Sequence, residues 1–126
     1  MNFWIFAHDS APFDHWIDGH RERFDAWHEA GVRGLVIGYL RFNLPDGTSV
    51  PAWKPDPAVY AAHGEPVPEG PRDIERESRL RQMLDNAAER GWQIMLFGPP
   101  MTPATLQDLA NAFPQVTGVI IDGPGE

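Results

Sequence analysis

The sequence predicts an α/β fold built on a parallel sheet, and three observations carry that prediction. Short apolar runs of strand length alternate with amphipathic stretches of helix length along the chain. The runs themselves, FWIFA, GLVIGYL, WQIMLFG and VTGVIID, lack the polar alternation of a half-solvated sheet, so both their faces are to be covered. A helical pattern also stands between each run and the next, which is the connection that parallel neighbours joined by right-handed crossovers need. The expected order is β-α-β-(loop)-α-β-α-β.

The first strand is read at residues 3–7, followed by a helix from about Asp14 to Ala30. In that helix Trp16, His20, Phe24, Trp27 and Ala30 fall on one stripe at three- and four-residue spacing, with Arg21, Glu22, Asp25 and Glu29 elsewhere. Gly31 stands where a left-handed residue would close it. The second strand is read at 34–40. A helix from about Asp73 to Arg90 opens with Asp73, Glu75 and Glu77, which favour its positive end, carries Leu80, Leu84, Ala87 and Ala88, and is closed by Gly91. The third strand is read at 92–98. Thr102 and Pro103 suit the cap and first turn of a helix running to Phe113, with Leu106, Leu109, Ala110 and Phe113 as its buried stripe and Pro114 as its stop. The last strand is read at 116–122.

Between Asn43 and Arg72 lie seven of the thirteen prolines, with Trp53, Tyr60 and His63 among them. The segment is read as an insertion too rich in proline for regular helix or strand, leaving the second strand at its carboxyl end. Its aromatic rings would then lie beside or over whatever that edge does. Trp53 and Tyr60 suit stacking on a sugar ring, although packing of the loop on its own domain is the more ordinary use of such rings.

Composition narrows the function. The chain of 126 residues, 42% hydrophobic, is sized for a single domain spanning 1–126. A formal charge of −8 without a basic cluster opposes nucleic acid. The apolar runs are far shorter than a membrane span. The amino-terminal run is broken by His8 and Asp9 before a secretory core could form, so a cytoplasmic location is expected. With no cysteine there is no thiolate nucleophile or disulfide framework.

In a parallel sheet the carboxyl ends of all strands share one edge, and α/β folds build their sites there. The residues following the four runs include His8 and Asp9, Arg41 and Asn43, Gly98 to Pro100, and Asp122 with Glu126; the opposite ends offer only Asn2, Arg33, Gln93 and Gln115. Asp122, with Gly123 and Gly125 beside it, suits a catalytic carboxylate brought close to a ligand, and suits a tight turn as well. Arg41 can hold a carboxylate ionised or bind hydroxyls, and forms a structural ion pair equally well. His8 and Asp9 suit substrate hydrogen bonding. No metal site is expected, because His15, His20 and His28 contain no pair at four-residue spacing and there is no HExxH. Neither a serine-nucleophile elbow, a P-loop nor a dinucleotide fingerprint is present, and no cofactor is expected.

The segments FDAWHEAGVRGLVIGYLRFN, LRQMLDNAAERGWQIMLFG and LQDLANAFPQVTGVIIDGPGE resemble the first half of a (β/α)8-barrel (TIM-barrel) glycoside hydrolase. The last is similar to the α-L-fucosidases and glycosidase-like relatives, in which an apolar strand leads to an Asp-Gly pair. The resemblance implies a retaining hydrolase with Asp122 as nucleophile, and His8, Asp9, Arg41, Asn43, Trp53 and Tyr60 as substrate-binding residues. A broader likeness to retaining barrel glycosidases implies Arg41 near the second strand's end and Glu126 as acid/base. Gly125 stands where those enzymes have Asn, and the second strand lacks the paired histidines of fucosidases. A barrel needs eight units and about 250 residues. The chain is therefore expected to be half a barrel of four strands and three main helices, lacking its carboxyl-terminal half and inactive alone. The alternatives are a carbohydrate-binding barrel without catalysis and a small α/β interaction domain.

Overall fold

A computed structural model describes residues 2–7, 20–38, 41–43, 47, 49–98 and 101–121. Among them the elements are β1 (Phe3–Ala7), α1 (His20–Glu29), β2 (Val32–Gly38), β3 (Arg41–Asn43), β4 (Ser49–Pro51), α2 (Pro57–Ala62), α3 (Ile74–Glu89), β5 (Gln93–Gly98), α4 (Pro103–Ala112) and β6 (Gly118–Ile121). β1, β2, β5 and β6 form one four-stranded sheet in that spatial order, and every neighbouring pair is parallel. The α/β class and the parallel sheet expected from the sequence are what the fold contains.

Local chemistry explains where the helices begin and end. Asp73 precedes α3 and its side chain accepts from the Arg76 amide at 2.9 Å, while Thr102 precedes α4 and accepts from the Thr105 amide at 3.2 Å. Pro103 takes the first position of α4, where a missing N–H costs nothing. Past the carboxyl ends of α1 and α3 the chain turns through Gly31 at φ 107° and Gly91 at φ 75°, a region that a side chain disfavours. The beginning of the first helix as read from sequence, residues 14–19, lies outside the described residues, as do residues 39–40 of the second strand, and β2 starts two residues earlier than expected.

The sheet has two unlike faces. On one, Leu35 and Ile37 of β2 and Ile94 and Leu96 of β5 are buried in a single core with Phe24 of α1, Leu80, Met83, Leu84 and Ala87 of α3, and Leu109 and Phe113 at α4; Ile5 and Val119 pack at its margin. Alternation along each strand sends Trp4, Phe6, Gly34, Val36, Met95, Phe97, Gly118 and Ile120 to the other face. There, large residues lean over glycines on the adjoining strand. A Cβ built on Gly34 would lie 2.2 Å from the Trp4 ring, and one on Gly118 would lie 2.9 Å from the Met95 methyl. Large beside small is how strands of a small barrel share limited interior space.

The insertion differs from its sequence reading. β3 and β4 pair antiparallel as a two-stranded ribbon, and α2 follows. The prolines tolerate this because of where they fall. Pro51 is the last residue of β4, and Pro57 is the first of α2, with Asp56 capping the Ala58 amide at 3.0 Å. No helix among the described residues is long and apolar enough to cross a membrane.

Candidate functional site

The carboxyl ends of the four sheet strands lie along one edge in matched register, Ala7 beside Ile37, Gly38 beside Phe97, and Gly98 beside Ile121. A shared carboxyl edge of this kind is what the expected site requires. His8 and Asp9, which follow β1 in sequence, and Asp122 and Glu126, which follow β6, lie outside the described residues. Arg41 and Asn43 are placed differently from the expectation. β2 ends at Gly38, so both belong to β3, where their backbones pair with Pro51 and Ser49 of β4 rather than extending the main sheet.

Trp53 and Tyr60 do not lie over the strand ends with a ring face free for a sugar. Each is 2% exposed. Trp53 meets the Phe113 ring edge-on at 5.8 Å, at the end of α4 that leads into β6 and thus away from the carboxyl edge. Its indole Nε1 donates to Asp108 Oδ2 at 2.8 Å, and Asp108 Oδ1 accepts from the Asp56 amide at 3.3 Å. The Tyr60 hydroxyl lies 3.4 Å from Thr105 Oγ1 in the first turn of α4. Burial pushes the ionisation of Tyr60 above its ordinary 10.0; the contact with Thr105 works against that, and the nearby carboxylates of Asp108 and Glu65 add to it. The insertion therefore packs against α4, with Trp53 reaching the core. The two rings are corrected from substrate contacts to anchors, because a proline-rich segment with two large aromatic residues stabilises most by burying them.

Two acidic residues that sequence reading did not single out organise this packing. Asp108 is 2% exposed on α4, in the row Ala104, Asp108, Ala112 at four-residue spacing, so a carboxylate on the helix's inward side was the available signal. Glu65 Oε2 accepts from the Ala104 amide at 3.2 Å. The amino end of α4 directly follows the carboxyl edge of β5, the usual place for a substrate anion, and a carboxylate of the chain's own insertion is set there. Glu77, 4% exposed, is held by Arg72 through Nε at 3.2 Å and Nη2 at 2.5 Å.

A cleft of about 420 Å³ between the insertion, α3 and α4 is lined by Lys54, Asp56, Arg72, Glu77, Arg81 and Asp108, among others. Its acids are engaged as described, and Arg81 donates to the Ala112 carbonyl at 2.7 Å with its guanidinium 4.5 Å from the Phe113 ring centre. These groups join elements of the fold. The histidines of α1 are likewise engaged: His20 Nε2 lies 2.8 Å from Asn86 Nδ2, and His28 Nδ1 accepts from Trp92 Nε1 at 2.9 Å. No group of three or more His, Asp or Glu among the described residues is placed to hold a metal ion. No family model, curated protein or solved structure matches this chain.

Proposed function

We propose that this chain is the amino-terminal half of a carbohydrate-active (β/α)8 barrel of the retaining glycoside hydrolase kind, whose working rim is the carboxyl edge of its sheet. One observation supports the reading: among the described residues four parallel strands lie side by side in chain order, so their carboxyl ends share one edge. A doubly wound sheet reverses its order at a switch point, and the sheet strands among the described residues do not reverse. The glycines under Trp4 and Met95 add support, since they suit a face that becomes a barrel interior.

In this reading Asp122 is the nucleophile, or, in the broader likeness, Glu126 the acid/base, the second carboxylate coming from the remaining half, with His8, Asp9, Arg41 and Asn43 contributing to recognition of sugar hydroxyls. Attack of the Asp122 carboxylate on the anomeric carbon expels the aglycone, whose oxygen takes a proton from a carboxylic acid; water then cleaves the glycosyl ester. The two carboxyl groups must stand about 5 Å apart. The 126 residues alone hold half the rim and hydrolyse nothing. The test is turnover of aryl glycosides by the chain extended through the reading frame beyond Glu126. Asp122→Asn is expected to abolish turnover while sugar binding persists. Undiminished turnover in that variant, or a stop codon directly after Glu126, would overturn the proposal; binding without turnover in the unaltered protein would make it a recognition barrel.

A further inference from the structure

The cleft of about 420 Å³ between the insertion, α3 and α4 holds more hydrogen-bond donors than the fold uses. Its buried acids are matched: Arg72 holds both oxygens of Glu77, and Asp108 accepts from the Trp53 indole and the Asp56 amide. The donors are not matched in the same way. Lys54 and Ser78 line the cleft with exposed side chains that have no hydrogen-bond or ion-pair partner. Arg81 gives one nitrogen, Nη1, to the Ala112 carbonyl and lies against the Phe113 ring, which leaves Nε and Nη2 without a partner. Asn111 accepts from Gln107 at 3.0 Å, and its own amide nitrogen is unmatched. The chain has 18 acidic residues and 10 basic ones, yet neither Lys54 nor Arg81 has drawn a carboxylate.

We propose that this cleft binds a small carboxylate bearing an apolar group, with the carboxylate taken by Arg81 and Lys54 and the apolar part resting on Ile74. The arginine is set for such a ligand. A carbonyl on one nitrogen and a ring 4.5 Å beneath fix the plane of its guanidinium, and the free Nε and Nη2 form the two-nitrogen edge that a carboxylate accepts. Arg72 uses that same edge on Glu77 within the same cleft. Lys54, Ser78 and Asn111 add single donors around it. Ile74, at the start of α3, is 68% exposed and gives the lining an apolar surface. Charge decides between oxyanions: Lys54, Arg72 and Arg81 balance Asp56, Glu77 and Asp108, so no net field draws a multiply charged group. A singly charged carboxylate therefore fits better than a dianionic phosphate. The site is built from the insertion, α3 and α4, and it rests neither on the half-barrel reading nor on the residues that follow the strands.

The test is a titration of the chain with benzoate, followed through the backbone amide resonances of Lys54, Ser78, Arg81 and Asn111. These are expected to move together to saturation with one dissociation constant of about 1 mM, and not to do so in sodium chloride of equal ionic strength. Benzyl alcohol keeps the ring without the charge, and it and phenyl phosphate are expected to bind about tenfold more weakly or worse. Lys54→Gln, at an exposed side chain without a partner, is expected to leave the thermal midpoint unchanged and to weaken benzoate about tenfold. Arg81→Lys keeps the charge but loses the two-nitrogen edge, and should weaken benzoate about tenfold or more while the far-ultraviolet spectrum stays that of a folded chain. Arg21→Gln, exposed on α1 and outside the cleft, should change nothing. Shifts that never saturate, equal binding of benzyl alcohol, tighter binding of phenyl phosphate, or an affinity untouched by Lys54→Gln would each overturn the proposal. A stop codon after Glu126 would remove the half barrel invoked above and leave this cleft intact. Conversely, failure to bind benzoate leaves Asp122 testable by turnover in the longer polypeptide.

Discussion

Replacing Trp53 with Phe keeps an aromatic ring against Phe113 but removes the indole N–H that Asp108 accepts at 2.8 Å. Both groups are 2% exposed, so no water replaces the lost donor in place. A hydrogen bond to a carboxylate contributes about 1.5–3 kcal/mol, and the smaller ring adds a cavity penalty of about 1 kcal/mol. Trp53→Phe should therefore destabilise the chain by about 3 kcal/mol. For 126 residues, unfolding entropy makes 1 kcal/mol worth about 4 °C, so the midpoint should fall by about 12 °C. Urea and thermal melts of Trp53→Phe, Asp108→Leu and the double variant form a cycle that isolates the bond. Asp108→Leu strands the indole N–H, whereas the double variant strands neither of the two side chains. Its loss should fall short of the summed single losses by about 1.5 kcal/mol or more. Additivity within about 0.5 kcal/mol would show that the bond does not join the insertion to α4, and would refute this account of why the segment folds as it does.

Two further outcomes follow from the packing of Tyr60 and Trp4. Because burial favours the neutral phenol of Tyr60, its contribution to stability is whole below pH 10.0, the value of the unfolded side chain, and is lost as pH climbs through the higher folded value. Tyr60→Phe should flatten the alkaline limb of a stability-against-pH curve, and simultaneous ionisation of both tyrosines of the chain near 10.0 in the folded protein would contradict the burial. Gly34→Ala places a methyl 2.2 Å from the Trp4 ring, which must swing away from the sheet at a cost of about 1–3 kcal/mol; near-ultraviolet circular dichroism reads the displaced indole, and an unchanged spectrum with unchanged stability would mean that Trp4 does not rest on Gly34.

The amino-acid sequence by itself determined the elements whose signals are local. Caps at Asp73 and Thr102, glycine stops at Gly31 and Gly91, and the period of the apolar residues in α1, α3 and α4 act within a turn or two of chain, so they can be read in order along it. The same holds for the parallel sheet, since helices between apolar runs leave the strands little other way to pair. The destination of the insertion was decided only in three dimensions. Whether Trp53 and Tyr60 face a ligand or a helix depends on Asp108 and Thr105, which lie 55 and 45 residues further on and give no sign of the pairing within any local window. The fit of Trp4 over Gly34 likewise depends on the register between strands, and register follows from the packing of both faces together. Short-range chemistry chooses what each segment becomes, and the long-range meeting of surfaces chooses which side chains are left to act.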